Sequence, residues 1–417
     1  VGTQRSAGEG SGGLNGVRVA MALVLLALLG LVLLTQPVDT PIPFVGAYVV
    51  ASLVPAVALV VARPRRGALA VVAVVVGVLA VLAVQARFAS DDPFQHRHDG
   101  GVVATGAAAR MVLDGENPYT ASFEEALRPD HLVLVEADGD DEEVVNPLRD
   151  HYPYLPGAFL VQVPVEAAAD VFGADGDPRL LSVVAVAALV VLLVRAPRPS
   201  WARAAALVAL GANLAVAIYL SWGANDAPAA ALVAIAAWVL ARRPVLAGVL
   251  MAIALSLKVL LVVALLPLVV LAWHEGGRAL LTRFLGATAV VLAVTVAPFA
   301  LASPGDLWED TVVFNLGGTD LAYPTSGIGL GAIHPDVFTD GVILATSALL
   351  VGLVAVVGVA WLRRSPTPGR ALVVAGALVV AGLLPARSFQ ISYLPLPVVL
   401  WALVWLDVGN RETGRTA

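Results

Sequence analysis

The sequence predicts an all-α, polytopic membrane protein of about twelve spans. Three observations predict it. Hydrophobic residues make up 59% of the chain and charged residues 13%, with a mean hydropathy of +0.87; soluble domains do not have this balance. Apolar runs of span length recur through nearly the whole chain. They are continuous, whereas transmembrane strands would alternate. Arginines, finally, gather at every second connection between these runs, as they do on the cytoplasmic side of helical membrane proteins. The chain has no cysteine, which excludes disulfides and thiolate metal centres.

Residues 1–16 are rich in Gly and Ser and read as a disordered cytoplasmic tail. Three spans follow within 17–86, at 17–35, 44–62 and 67–86. The first is too long for a signal-peptide core and lacks a clear cleavage site. The polar segment 87–177 is the first large outward loop, expected to carry juxtamembrane helices and the chemistry. Residues 178–301 form a helical module with spans at 178–194, 203–220, 227–241, 244–257, 259–273 and 284–301. A second outward loop covers 302–340. The C-terminal part, 341–417, holds spans at 341–362, 371–386 and 390–406 and a cytoplasmic tail.

Loops with Arg63, Arg65 and Arg66, with Arg195, Arg198 and Arg203, with Arg242 and Arg243, with Arg278 and Arg283, and with Arg363, Arg364 and Arg370 are assigned to the cytoplasm. Both termini then lie inside a plasma membrane, and the two large loops lie outside. This alternation requires that 156–172 does not span. Pro156, Pro164, Glu166 and Asp170 suit a helix lying at the interface. Trp201, Trp222, Trp273 and Trp361 fall at span ends and read as an aromatic belt.

The first loop opens with His96-Arg97-His98-Asp99-Gly100-Gly101. A short amphipathic helix over Val102–Leu113 would put Asp99 at its N-terminal side. Two readings stay open: Asp99 as a base at the membrane surface, or as a helix cap. Asp91 and Asp92 are rival bases. His96 and His98 match no strong metal-ligand spacing. The acidic run Glu136–Glu143 reads as a solvated excursion, with a bound cation as the other reading. Trp222-Gly223-Ala224-Asn225-Asp226-Ala227-Pro228 is a tight outward turn. Its Asn225 and Asp226 either bind a polar substrate or simply serve the turn. Lys258 is the one lysine in the chain and interrupts the apolar run 244–273. A charge there marks a functional site or a side chain reaching for the interface. Two half-length helices meeting at Lys258 would present an ammonium to an anion. Arg387, at the outer end of a late span, is either a second anion contact or an interface anchor. In the second loop, Phe314–Thr319, Tyr323–Gly329 and His334 suggest a flexible cover or a plain connector, and no single residue stands out. No Walker loop or dinucleotide-binding glycine pattern occurs.

The run Asp99–Tyr119, from Asp99-Gly100-Gly101 through an alanine-rich stretch to Asp114-Gly115-Glu116-Asn117-Pro118-Tyr119, resembles the first outward loop of GT-C polyprenyl-phosphate-dependent glycosyltransferases. It is most similar to the bacterial mannosyltransferase branch grouped as family 87. Tyr152-Pro153-Tyr154-Leu155-Pro156-Gly157 resembles that family's second motif, with Tyr154 where proline is usual. The likeness covers roughly residues 95–300 and is weaker towards the C-terminus. Three spans precede the loop where many relatives have one.

The resemblance implies a GT-C fold and an inverting transfer of a sugar from a polyprenyl-phosphate donor to a glycolipid or glycan outside the membrane. Mannose is the expected sugar, and an arabinofuranosyl pentose is the alternative. Asp99 matches the family's catalytic base. Lys258 and Arg387 are implied as contacts to the donor phosphate, and His98, Asn117, Tyr119, Tyr152, Tyr154, Asn225 and Asp226 as substrate contacts. No cofactor is implied; a divalent cation is possible but not indicated. Membrane lipid and the two substrates are the expected partners, and nucleic acid is not. A lipid or polysaccharide transporter or flippase is the rival from another class. It predicts internal repeats and charges near the bilayer midplane, whereas here no repeat is evident and the charges cluster at the expected outer face. A polysaccharide polymerase or ligase would also have large outer loops, but the Asp99–Tyr119 pattern argues against it.

Overall fold

The computed structural model describes residues 99–127, 133–135, 143–171, 176, 179–195, 206, 210, 216, 219, 223–320, 326–386 and 388–403. The expected spans within 17–86 lie outside these residues. In chain order the helices are α1 (Asp99–Leu113), α2 (Gly157–Leu160), α3 (Val163–Val171), α4 (Arg179–Arg195), α5 (Asp226–Val239), α6 (Pro244–Leu257), α7 (Leu265–Ala302), α8 (Pro304–Trp308), α9 (Leu330–Ile333), α10 (Asp340–Arg364), α11 (Pro368–Leu383) and α12 (Pro395–Ala402). Two small sheets complete the set. β1 (Val133–Val135) pairs antiparallel with β2 (Glu143–Val145), and β3 (Ser326–Gly327) pairs in parallel with β4 (Ser388–Phe389).

Helix α5 lies at the centre, packed against α4, α6, α11 and α12. Its sequence explains why. Ala227, Ala229, Ala230, Ala231, Ala234, Ala236 and Ala237 are all buried. Alanine is the strongest helix former, and its small side chain lets neighbouring backbones come close, as packing between membrane helices requires. Arg242 and Arg243 close α5, and Pro244 opens α6, where proline's missing N–H costs nothing. Each helix is 14 residues long, about 21 Å. The return of the chain puts Asp226 and Lys258 at one end of the pair and Arg242 and Arg243 at the other.

Helix α7 contains a reversal that the apolar pattern places between two spans. Gly277 has φ +59° and ψ −148°, a conformation open essentially to glycine alone. After it, Thr288 Oγ donates to Gly248 O at 3.1 Å, early in α6. Phe299 packs on Phe159, close to where Gly157 faces Ser256 near the end of α6. The second arm of α7 therefore runs alongside α6 in the same direction, so the first arm must run against it.

Among the described residues two helices, Val259–Ala302 with its reversal and Asp340–Arg364, are long and apolar enough to cross a membrane. Helix α10 buries only Leu362 and exposes Leu344, Leu349, Leu353, Val356 and Val357. That exposure separates it from the core helix of a soluble protein and suits a face turned to lipid. Within 156–172 the described residues form α2 and α3, with a turn at Val161–Gln162 between them.

A second, smaller core sits at the Asp226–Lys258 end. It is aromatic: Tyr119, Phe123, Tyr152, Phe159 and Phe314 are buried together, with Tyr119, Tyr152, Phe159 and Phe299 in edge-on or tilted contacts at 5.1–6.1 Å. This core joins residues of the two large loops. The stretch Pro304–Leu316, expected as open loop, is helical, passing from α8 through a π-helical turn at Glu309–Val313 to a 3-10 turn. The last expected span, 390–406, starts later than its apolar pattern suggests. A 3-10 turn at Ile391–Tyr393 precedes α12.

Candidate active site

The turn before α5 and the break after α6 meet. Gly223, at φ +83°, makes the turn, and the Ala224 N–H donates to Tyr219 O at 2.9 Å. Lys258 leaves α6 in an extended conformation and starts a 3-10 segment, Val259–Ala264. The break leaves helix-end carbonyls in need of donors. The Asn225 side-chain amide meets one, donating to Leu257 O at 2.8 Å. Asp226, 1% exposed, sits in the first turn of α5, where the helix dipole favours a negative charge. Its carboxylate lies 3.2 Å from the Lys258 ammonium, and Asn225 Oδ1 lies 3.5 Å from it. The Tyr393 ring covers the ammonium with its centroid 4.4 Å away.

Asn225, Asp226 and Lys258 line a partly open cavity together with Gly101, Val102 and Thr105 of α1 and with Tyr154, Gln162 and Ser182. Asp99 lies on α1, which takes in the helix expected at Val102–Leu113 and whose Gly101, Val102 and Thr105 line the same cavity as the Lys258 group.

The α1 wall is held from behind. Thr105 donates to Gly101 O at 2.7 Å and accepts from the Tyr152 hydroxyl at 3.2 Å. The Tyr119 hydroxyl donates to Tyr154 O at 2.7 Å. Burial pushes both phenols above the ordinary tyrosine range, so they serve as neutral donors. The far end of α1 is tied to α3 by Arg110, which donates to the buried Glu166 at 3.0 Å. Glu166 also accepts from the Gly176 N–H at 3.0 Å.

The second large loop clamps the first. Asn117 donates to Ser303 Oγ at 2.7 Å and accepts from the Tyr119 N–H at 3.2 Å. Asn315 donates to Pro153 O at 2.9 Å. Asp310, buried on the π-helical turn, accepts from the Tyr152 N–H at 2.9 Å and faces His151 Nδ1 at 2.7 Å. Desolvation pushes its carboxyl up to about 6, against the lowering effect of the Tyr152 and His151 bonds.

Of the residues singled out in the sequence, the structure brings Tyr154, Asn225, Asp226 and Lys258 to one cavity; Asp99 lies on α1, whose Gly101, Val102 and Thr105 also line it. Asn117, Tyr119 and Tyr152, expected as substrate contacts, hydrogen-bond protein groups and are not among the residues lining the cavity. They hold the loops together behind the cavity. His98 and Arg387 lie outside the described residues, as do Asp91, Asp92 and His96. Sequence reasoning missed Asp310, whose only local signal is a carboxylate just ahead of an apolar run, and Tyr393, which reads as one more apolar residue near a span start. Among the described residues no three or more His, Asp or Glu side chains gather as a metal site would require.

The family model described as Glycosyltransferase family 87 matches residues 152–385, more than half of the chain. The match takes in Tyr154, Asn225, Asp226, Lys258 and Asp310. It reaches further towards the C-terminus than the motif likeness at 95–300 and leaves out Asp99–Tyr119. Comparison with curated proteins and with solved structures returns no match.

Proposed function

The chain belongs to glycosyltransferase family 87, and on that premise we propose that it transfers mannose, with inversion, from a polyprenyl phosphate to a glycolipid or glycan on the outer face of the plasma membrane. One observation carries this reading. One cavity is lined both by residues of the Asp99 helix and by the only lysine of the chain, held by Asn225 and Asp226.

Asp99 takes the proton of the acceptor hydroxyl as its oxygen attacks the anomeric carbon. The bond between that carbon and the phosphate oxygen breaks on the opposite face, and polyprenyl phosphate leaves with the electron pair. Lys258 meets the charge that develops on the leaving phosphate. Asp226 and Asn225 hold the ammonium in place beforehand, so little reorganisation is needed at the moment of transfer. Tyr154 lines the space between base and phosphate and is the aromatic surface on which a sugar ring rests. Arg387 supplies a second cation for the phosphate, and His98 a polar contact beside the base. The donor enters sideways from the bilayer, between helices with apolar outer faces such as α10. Both termini lie in the cytoplasm, and about twelve helices cross the membrane.

The test is transfer of radiolabelled mannose from polyprenyl-phosphate mannose by membranes carrying wild type or Asp99→Asn. Loss of a general base lowers the rate by roughly 10²- to 10⁴-fold, and transfer by Asp99→Asn at the wild-type rate removes Asp99 from the mechanism. If wild type uses a polyprenyl-phosphate arabinofuranose and not the mannose donor, the sugar assignment falls and the rest stands.

A further inference from the structure

We propose that Tyr393 is a positioning residue for Lys258, its ring face fixing the ammonium in the cavity wall; the consequence for transfer rests on the reading of Lys258 as the donor-phosphate contact. Lys258 sits on a backbone break and carries a long stem with much rotamer freedom. Asp226 and Asn225 hold the ammonium from the α5 side. The Tyr393 centroid, 4.4 Å away, adds a third attraction, well within the range where a cation and an aromatic face attract. A ring suits this place better than another acid. Its face attracts the cation through its quadrupole without adding net charge, whereas a second carboxylate would repel an arriving phosphate.

The ring is itself held. Tyr393 closes the 3-10 turn Ile391–Tyr393, with its N–H donating to Gln390 O at 3.0 Å. It packs against the main helical core. Just before the turn, Phe389 O accepts from the Ile328 N–H at 2.7 Å, and Ser388 pairs with Ser326. Residues 388–393 lie beyond the 152–385 match. This chain thus completes its lysine site with a segment outside the matched residues.

The single lysine makes the contact directly observable. Lysine labelled with ¹³C at Cε gives one side-chain resonance from the full chain in nanodiscs. The ring shifts it upfield in wild type and Tyr393→Phe, and the shift disappears in Tyr393→Leu. Replacing residue 393 with phenylalanines of increasing fluorination keeps the shape and weakens the ring face. Donor kcat/KM falls stepwise along that series and by roughly 3- to 30-fold in Tyr393→Leu, with the acceptor KM unchanged. A wild-type resonance without a ring shift overturns the proposal, as does donor kcat/KM indifferent to fluorination. If wild type transfers from no polyprenyl-phosphate sugar, the donor reading fails instead, and the lysine resonance still decides the contact.

Discussion

Asp310 and Tyr152, 158 positions apart, are joined by a hydrogen bond of 2.9 Å from the Tyr152 N–H to Asp310 Oδ2. The other carboxylate oxygen faces His151 Nδ1 at 2.7 Å. One buried acid thus ties the second large loop to the segment that supplies Tyr154 to the cavity. Burial raises its carboxyl from the usual 3.8 to about 6. Between those two values the folded state holds a proton that the unfolded chain has lost, so this group's contribution to stability falls as pH rises through the window. The full change is about 3 kcal/mol. Melting curves between pH 4 and 7 should show this fall in wild type, and it should flatten in Asp310→Asn. Equal slopes for the two proteins would remove Asp310 as its source.

Lys258 and Asp226 form a buried pair, and breaking such a pair from one side costs about 3–5 kcal/mol. Lys258→Met leaves the Asp226 carboxylate, 1% exposed, without its ammonium. This variant should therefore lose stability as well as donor use. Adding Asp226→Asn should return about 1.5–3 kcal/mol of the loss while transfer stays low. Melting temperatures of the two singles and the double in one detergent measure this coupling. Strict additivity would show that the pair is not energetically joined.

Gly157 packs so closely on α6 that an added Cβ would meet Ser256 Oγ at 2.4 Å and Ser256 Cβ at 2.6 Å. Gly157→Ala should cost about 1–3 kcal/mol through overpacking and push α2, with the cavity residue Ala158, away from α6. Ser256→Gly removes both clashing atoms, at a helix cost of about 0.5–1 kcal/mol. The double variant should be more stable than Gly157→Ala alone and recover its transfer rate. No recovery would mean that the two helices do not touch there.

Tyr119 and Tyr152 serve as supports, so removing their hydroxyls should act on stability ahead of substrate binding. Tyr152→Phe and Tyr119→Phe should each lose about 1 kcal/mol and keep wild-type donor and acceptor KM. Tyr154→Ala should raise KM, because Tyr154 lines the cavity. Steady-state kinetics on the three variants separate the roles, and a raised KM in Tyr152→Phe would return that residue to the substrate.

Much of this protein is local in its signals. The free energy of moving side chains out of water acts on each run by itself, so hydropathy alone reveals the apolar helices. A charge inside such a run is costly wherever the run ends up, and for that reason Lys258 marks the break between α6 and the 3-10 segment. Turn chemistry at Gly223–Asn225 and at Gly276–Gly277 is equally local. The cavity is not. Lys258 meets Asp226 across 32 positions, Tyr393 covers Lys258 from a C-terminal turn, and Asp310 reaches Tyr152 across 158. An acid beside an apolar run has the same local pattern whether it ends in solvent or under another loop. Only the packing of the helices decides which end of α5 and α6 gathers the polar side chains, and which of the motif tyrosines face the cavity while the others support it.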